Sequence, residues 1–436
     1  MEHFITIIQR INNFIWGFPL LLLVLGTHIY FTIKLRFPQK NIVRAIRYSF
    51  TKKSDISSAN LSVFETLTTT LAATLGTGNI VGISTAIWFC GPGALFWCWL
   101  TGLLGMATAY AECYLSVRYR IRGADELNKG GPMYLWDRIL HCPSIGKMYA
   151  FLTILTAFLV GCTTQANSIT QATSQSFGIS PHFVGILVAI PVGAILLGGV
   201  KVLGTFCARL VPPMAFLYIG SCLLLLFFNR SVLPDALHLI MTQALSPQAA
   251  AGGALGSSLI LAVRFGIARG LFTNEAGMGT CAVTAAGSES GDPRVQGYVS
   301  MSAVFWDTVV MCLVTGLVIV SNGLKNPASI LTVNEAGLTH AAFSYLPFSG
   351  DNFLTLCLIA FAITTMVGWS YLGERAIEYL KGPQGILPYR FFYILMIYFG
   401  AILPLDLIWE CTDLINALIL LPNILSLYLL RKKIHT

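Results

Sequence analysis

The feature that most constrains this chain is a series of apolar runs, each about 20 residues long, which is the length an α-helix needs to cross the hydrocarbon core of a bilayer. These runs recur from residue 14 to residue 430. Because the bilayer interior offers no water to backbone groups, only helices and closed β-barrels span it. The sequence lacks the alternating segments of about 10 residues that a barrel requires. It therefore predicts an all-α polytopic membrane protein.

Composition narrows the range of partners. Charged residues make up 11% of the 436 positions and hydrophobic residues 55%, whereas soluble domains carry about 25% charged residues. The net charge of +8 is interpreted as basic cytoplasmic loops rather than binding to nucleic acid. The eleven cysteines include no C-x-x-C pair. We expect them to be buried apolar side chains, without a zinc site or a disulfide framework.

The loop charges predict how the helices are oriented. With the N-terminus outside and the C-terminus cytoplasmic, 22 of the 27 Lys and Arg residues fall in inside segments and three in outside segments. The start of the chain is interpreted as a retained first span rather than a signal peptide. The whole chain, 1–436, is predicted to form one transmembrane domain. Its eleven transmembrane helices are predicted at residues 14–35, 62–89, 92–118, 150–172, 182–200, 210–228, 255–285, 297–322, 352–379, 390–409 and 413–430.

The second predicted helix contains LAATLGTGNIVGI, Leu71 to Ile83, with its weakest helix formers at the centre. Glycine costs about 1 kcal/mol relative to alanine within a helix. One interpretation is close packing of two helices at Gly78 and Gly82, which have small-xxx-small spacing. The other is a helix that unwinds within the membrane. Freed amides at such a break can bind an anion, and freed carbonyls can bind a cation.

The seventh predicted helix, RFGIARGLFTNEAGMGTCAVTAAG, has a similar glycine-rich interruption. It lies five spans after the second helix and runs in the opposite direction. The pattern predicts two inverted five-helix repeats, 62–228 and 255–430, each opened by a discontinuous helix, with 14–35 as an extra N-terminal helix. This arrangement resembles the five-plus-five inverted-repeat fold of the leucine-transporter type.

Several stretches match a known family in order, from about residue 70 to residue 427. They are Thr70 to Arg120, GGPMYL, TQANSI, LGGVKVLG, RFGIARGLFTNEAGMGT, VGWSYLGERAIEYL and LPNILSL. Together they resemble the alanine or glycine:cation symporter family, which implies sodium-coupled uptake of alanine and glycine. Cys90 and Ala109 depart from the Gly and Lys usual in that family, and TCAVTAAGSES after Gly279 is a looser match.

The two breaks suit the two charges of a free amino acid. Burying a carboxylate or an ammonium without a partner is costly. We expect the carboxylate to bind the amides around Thr77, Gly78 and Asn79. The ammonium is expected to bind carbonyls near Phe272 and Thr273.

Two more residues are candidates for substrate binding. Gln165 lies in the polar cluster GCTTQANS, which also suits hydrogen bonds between helices. The family resemblance favours a contact with substrate. Trp369 could cap the pocket and leave room for a methyl-sized side chain, or it could face lipid or the membrane interface.

Sodium prefers hard oxygen ligands, and the resemblance to the fold implies two sites built from them. No cofactor is expected, since sodium is transported, and no other metal is implied. Adjacent threonines also commonly bond to carbonyls of their own helix, so that alternative stays open for the pair in FAITTMVGW. The expected ligands are Ala72, Leu75, Thr364 and Thr365 for one site, and Thr74, Asn79, Thr273 and Asp307 for the other.

Charged residues within the spans are functional candidates. Glu275, Arg264 and Arg269 lie on the seventh helix, and the sequence does not reveal their partners. A gate ion pair and a structural ion pair are both open. Glu112 and Glu374, near cytoplasmic helix ends, are predicted to be structural or gating.

The sequence as a whole predicts sodium-coupled symport of alanine or glycine into the cell by alternating access, with the protein in the cell membrane. The alternative is proton-coupled transport or exchange of small amino acids. A membrane enzyme is disfavoured because neither H-E-x-x-H nor G-x-S-x-G occurs. A channel is disfavoured because no tandem filter motif occurs. The sequence does not indicate an oligomeric state.

Overall fold

The computed structural model describes residues 2–50, 60–123, 126–245, 259–329, 333, 337–347 and 349–435. Within these ranges the chain is almost entirely helical, as the apolar runs predict. The strands found there are β1 (Ile121–Arg122) and β2 (Asn128–Lys129), which form a short antiparallel pair.

The helices follow one another with short connections. Three of the described spans contain a π turn, in which the backbone is locally widened, and such turns are frequent at functional sites. A fourth π turn, Leu135–Ile139, lies outside the spans. The π turns lie at Gly78–Gly82, Leu135–Ile139, Ala157–Thr163 and Phe305–Cys312, and 3-10 turns lie at Pro38–Asn41, Pro327–Ser329, Pro383–Gly385 and Arg431–Lys433. The α-helices are α1 (Glu2–Ile15), α2 (Phe18–Lys34), α3 (Ile42–Ser49), α4 (Val63–Thr74), α5 (Ile83–Cys90), α6 (Gly93–Arg118), α7 (Pro132–Tyr134), α8 (Pro143–Thr156), α9 (Thr164–Phe177), α10 (Pro181–Leu197), α11 (Gly199–Phe228), α12 (Leu233–Leu245), α13 (Leu259–Asn274), α14 (Thr280–Ala286), α15 (Pro293–Val304), α16 (Leu313–Lys325), α17 (Leu338–Phe343), α18 (Gly350–Lys381), α19 (Ile386–Ile402) and α20 (Leu405–Leu429).

Seven helical stretches of the described chain are long and apolar enough to cross a membrane, and the number is nine if each bent pair is one span. The bent pairs are α1–α2, at 45°, and α4–α5, at 49°. The shorter helix α10 and the pair α13–α14 lie where the two remaining predicted spans fall. The helical polytopic class is therefore confirmed. The count of eleven spans and the inverted repeats stay predictions.

Two helix boundaries differ from those expected from the sequence. α11 begins at Gly199 rather than near residue 210, so residues 201–209 are helical and not a loop. Gly199, with φ of +75°, separates α10 from α11 in a conformation that glycine adopts without strain. α20 begins directly after Pro404 rather than at residue 413. The predicted tenth span, 390–409, was therefore placed too far along the chain, since α19 ends at Ile402.

Small residues let the central helices approach closely. A Cβ added at Gly266 of α13 would lie 2.5 Å from the carbonyl oxygen of Ala94 on α6. A Cβ at Gly368 of α18 would lie 2.6 Å from the backbone nitrogen of Ala73 on α4. Outer helices instead expose large apolar side chains, with Phe216 at 78% exposure. The close contacts place α4, α6, α13 and α18 at the centre of the bundle, and the exposed apolar groups suit contact with lipid.

Main-chain hydrogen bonds join Leu61, just before α4, to the segment that follows α14. The nitrogen of Leu61 donates to the oxygen of Gly287 at 3.1 Å, and the nitrogen of Glu289 donates to the oxygen of Leu61 at 2.8 Å. Arg120 Nη1 donates to the carbonyl oxygens of Ser288 at 2.7 Å and Ser290 at 3.0 Å. We call the two main-chain hydrogen bonds of Leu61 the main-chain latch.

Candidate functional site

The first interruption lies within LAATLGTGN. α4 starts with a capping box, in which Ser62 and Glu65 satisfy each other's backbone groups, and it ends at Thr74. The chain then turns by 49° before helical structure resumes as the π turn Gly78–Gly82, which leads into α5. The backbone therefore leaves helical geometry at the position where the sequence has its weakest helix formers.

Asn79 joins this break to a buried acid. Its Oδ1 accepts a hydrogen bond from the nitrogen of Gly76 at 2.9 Å, and its Nδ2 donates to Asp307 Oδ1 at 2.7 Å. The second oxygen of Asp307 accepts from Thr308 Oγ1 at 2.6 Å. Thr308 Oγ1 in turn lies 3.3 Å from Thr273 Oγ1 on α13. These contacts bring together oxygen-bearing side chains from three separate segments.

Asp307 has no basic partner among the described residues, although its side chain is fully buried. A buried carboxylate without compensating charge is strongly disfavoured. Carboxylate and hydroxyl oxygens are the hard ligands that a sodium ion takes. The group of Asp307, Thr308 and Thr273 beside Asn79 is therefore a candidate cation site. The Thr74 hydroxyl is directed elsewhere, towards the oxygen of Leu71 at 3.5 Å.

The second interruption lies between α13 and α14. Three residues there have positive φ: Glu275 at 55°, Gly277 at 94° and Gly279 at 81°. Glycine adopts this conformation without strain, whereas in a residue with a side chain, such as Glu275, it strains the backbone. α13 ends at Asn274 and α14 starts at Thr280, so residues 275–279 form the break.

The two interrupted helices meet at Gly78. A Cβ at this position would lie 2.7 Å from Thr273 Cγ2 and 2.8 Å from Phe272 Cδ1. Since real side chains almost never come this close, only glycine fits without displacing α13. The predicted amide-bearing and carbonyl-bearing segments are thus in direct contact.

Gln165 and Thr365 reach the same break from α9 and α18. The nitrogen of Thr77 donates to Gln165 Oε1 at 3.3 Å, and Thr365 Oγ1 donates to the oxygen of Leu75 at 3.1 Å. A Cβ at Gly76 would lie 2.6 Å from Thr365 Oγ1. Candidates that are 290 positions apart in the sequence therefore lie side by side.

Two buried polar atoms beside this meeting point lack a hydrogen-bond partner: Thr77 Oγ1 and Asn274 Nδ2. Leaving such a group unsatisfied costs about 1–3 kcal/mol. An unsatisfied group in a folded protein calls for an explanation, and a polar ligand supplies one. Trp369 is fully buried. It packs against Gly161 in the π turn Ala157–Thr163, where an added Cβ would lie 2.4 Å from Trp369 Cβ. It does not face lipid.

Two predicted sodium ligands, Thr364 and Ala72, are not linked by side-chain hydrogen bonds to the residues around the first break that are described above. The hydroxyl of Thr364 donates to the oxygen of Phe361, on its own helix, at 2.8 Å. Thr365 Oγ1 likewise lies 2.9 Å from the oxygen of Phe361, so both threonines make the bond to their own helix that was the alternative for this pair. Ala72 contacts α18 through its backbone, at Gly368. The roles of all the expected substrate and sodium ligands stay predictions.

The two arginines of the seventh helix, Arg264 and Arg269, line a separate cavity of about 410 Å³. Arg269 Nη2 bonds to Asp413 Oδ2 at 2.6 Å, and the Arg269 guanidinium lies 4.5 Å from the centre of the Trp409 ring. Trp409 also packs on Phe272, with ring centres 5.1 Å apart. Arg264 donates to Asn13 Oδ1 at 2.8 Å. An ion pair and two aromatic rings thus lie between this cavity and the meeting point at Gly78.

The sequence analysis missed several residues that contact these segments, namely Trp409, Asp413, Asn423 and Tyr149. The apolar runs and the glycine-rich breaks carry no signal for them, because each contact joins α13–α14 to a distant span. The charge of Asp413 next to an apolar run was the one usable clue, since an acid within a span needs a partner.

Comparison with known proteins gives the family context. The family described as "Sodium:alanine symporter family" matches residues 1–436. The "Sodium/alanine symporter AgcS" of Methanococcus maripaludis is 38% identical over 98% of this chain and 95% of its own length. The "Probable sodium/glutamine symporter GlnT" of Bacillus subtilis is 33% identical over 100% of this chain and 90% of its own.

Solved structures share the fold at low identity. MhsT in complex with L-phenylalanine superposes with a TM-score of 0.61 at 15% identity, covering 86% of this chain and 90% of that one. A Na+-coupled sialic acid symporter gives 0.55 at 11% identity, covering 90% and 82%. At these identities the likeness concerns the fold alone.

The uncompensated carboxylate predicts a stabilising effect of sodium on the purified protein. A ligand present at about 100 times its Kd stabilises the folded state by about 2.7 kcal/mol. We expect sodium, compared with choline at equal ionic strength, to raise the melting temperature in detergent. Asp307→Asn should remove most of this increase, because it removes the charge and keeps the shape.

Asp292→Asn is the matched control, since Asp292 caps α15 through the nitrogen of Arg294 and lies away from the breaks. Its sodium-induced increase should equal that of the wild type. An undiminished increase in Asp307→Asn would show that Asp307 does not bind the cation.

Proposed function

Because the chain belongs to the sodium:alanine symporter family, we propose that it carries alanine or glycine together with sodium into the cell by alternating access. Sodium-coupled amino acid symport across the cell membrane is the activity of this family. The main support for this proposed transport is the contact between the two interrupted helices at Gly78.

The proposed substrate site uses one break for each charge. The carboxylate binds the amides of Thr77, Gly78 and Asn79, and the ammonium binds carbonyls at Phe272 and Thr273. The Thr77 amide makes only a long bond of 3.3 Å to Gln165, and a carboxylate is a stronger acceptor than a carboxamide. We infer that the substrate carboxylate replaces Gln165 Oε1 at the Thr77 amide, and that the freed Gln165 side chain then bonds to the substrate.

Trp369 is proposed to limit the size of the side chain. It is fully buried, and Gly161 accommodates it by having no side chain. A rigid indole held in this way leaves little freedom to admit a longer substrate. This favours alanine or glycine over glutamine, although one relative is named as a probable glutamine symporter.

Sodium is proposed to bind on both sides of the substrate amides. One ion would lie at Asp307, Asn79, Thr273 and Thr74, and the other at the carbonyls of Ala72 and Leu75 with Thr364 and Thr365. Asn79 holds Gly76, and Thr365 contacts Leu75. Ions at these places would order the backbone that receives the carboxylate, so each ligand would raise the affinity for the other.

Uptake into proteoliposomes tests the proposal directly. With an inward sodium gradient, labelled alanine should accumulate against its own gradient, and glycine should compete better than serine or glutamine. Replacement of sodium by choline, with an imposed proton gradient, should abolish accumulation. Accumulation driven by protons alone would favour the proton-coupled alternative, and exchange without accumulation would favour an exchanger.

Gln165→Ala tests the substrate site within the same assay. Loss of one hydrogen bond to a charged group should raise the half-saturating concentration of alanine roughly tenfold. Gln171→Ala is the matched control, because Gln171 lies on the same helix and bonds to Asn167 instead. Equal alanine affinity in the two variants would exclude Gln165 from the site.

The orientation is proposed with the N-terminus outside and the C-terminus in the cytoplasm, supported by the position of 22 of the 27 basic residues. A C-terminal fusion to green fluorescent protein should therefore fluoresce, and one to alkaline phosphatase should be inactive. Fusions placed after residue 402, which lack α20, should give the opposite results. The reverse pattern at the full-length C-terminus would invert the proposed topology.

A further inference from the structure

The second break is held by side chains from three other helices. Asn423 Nδ2 on α20 donates to the oxygen of Gly277 at 2.8 Å, and Tyr149 Oη on α8 donates to the oxygen of Met278 at 2.7 Å. The nitrogen of Gly277 donates to Glu112 Oε1, on α6, at 3.4 Å. Backbone groups freed by the break are thus satisfied by the protein itself.

Glu112 ties these contacts together. Its Oε1 accepts from Cys281 Sγ of α14 at 2.9 Å, and its Oε2 accepts from Asn423 Nδ2 at 2.7 Å. In the described chain only neutral donors face this carboxylate, which is 1% exposed. Cys113 lies beside Cys281, at 3.5 Å between sulfurs. Glu112 therefore bonds to Gly277 within the α13–α14 break and to Cys281 on the helix that follows it.

The first break differs from the second in the side chains that bond to its backbone. Its contacts come from Asn79, Gln165 and Thr365, which are themselves candidate ligands, and Thr77 Oγ1 has no partner. At the second break the groups of Gly277 and Met278 are already taken. The nitrogens of Ala276 and Gly277 bond to Asn274 Oδ1 and Glu112 Oε1, and not to the carbonyls of Phe272 and Thr273 as in a continuous helix. These two carbonyls are therefore the ones we assign to the ammonium.

We propose that Glu112, Asn423 and Tyr149 are positioning residues for substrate binding, acting as a clamp on Gly277 and Met278. The clamp fixes the direction in which the chain leaves Asn274, and this aims the carbonyls of Phe272 and Thr273 at Gly78. The inference rests on the proposed function, because it assigns those carbonyls to the ammonium. It makes Glu112 an internal carboxylate of the clamp and not a gate.

The test combines uptake kinetics with hydrogen exchange. Glu112→Ala in proteoliposomes should raise the KM for alanine roughly tenfold, with a smaller change in maximal rate per folded transporter. Formate, a carboxylate small enough for the space left by the side chain, should lower the KM again. A merely structural role would lower the amount of active protein and leave the KM unchanged. Glu126→Ala, at an exposed glutamate, is the control. Its KM for alanine should equal that of the wild type, and formate should not change it.

Tyr149→Phe is the milder variant, since it removes one hydroxyl and keeps the ring. It should raise the KM roughly threefold, as expected for a neutral hydrogen bond, and it should speed amide exchange at residues 277–279, measured by mass spectrometry. Exchange needs no substrate, so it tests the clamp even if the wild type fails to carry alanine. Wild-type KM in both variants, or wild-type exchange in Tyr149→Phe, would overturn the proposal.

Discussion

The absence of water in the middle of a bilayer is the constraint on which this structure depends. A helix that stops there frees backbone groups, each of which must find a partner within the protein or a ligand. The chain solves this problem twice and differently. At the first break the partners are side chains that a ligand could share, such as Gln165. At the second break they are Asn423 and Tyr149, which donate to the carbonyl oxygens of Gly277 and Met278, and Glu112, which accepts from the nitrogen of Gly277.

The sequence was sufficient to predict where the helices break. Glycines flanking Thr77 and Asn79 in the first break, and Gly277 and Gly279 in the second, are local signals because propensity and backbone freedom belong to each residue. The structure has both interruptions, and it joins Gly78 to Thr273 as close contact of two breaks requires. The helical class followed from the apolar runs. The predicted helix boundaries were wrong at Gly199 and Pro404, because a glycine or a proline can either end one helix or start the next.

The partners of the breaks could not be predicted in the same way. Asn79 bonds to Asp307, 228 positions away, and Arg269 bonds to Asp413, 144 positions away. Such pairs depend on which faces of distant helices meet, and one sequence carries no record of that. The family resemblance supplied Gln165 and Thr365 as candidates, and physical reasoning alone would have left them as ordinary polar residues of the bundle. Glu112 was predicted from its place near a helix end to be structural or gating, and the structure puts it in contact with the second break, which the sequence did not indicate.

The main-chain latch between Leu61 and residues 287–289 has a consequence for how this protein tolerates change. Its two bonds join peptide groups, which every residue except proline provides in full. They therefore do not depend on which side chain position 289 carries, provided that it is not proline. Only GSES, the last four residues of the loosely matching TCAVTAAGSES, lies after Ala286. Within it Gly287 is constrained, because an added Cβ would lie 2.2 Å from Tyr371 Oη, and Ser288 Oγ accepts a hydrogen bond from Gln296 Nε2 at 2.6 Å. Sequence divergence at this closure should therefore concentrate at position 289 rather than at its two neighbours.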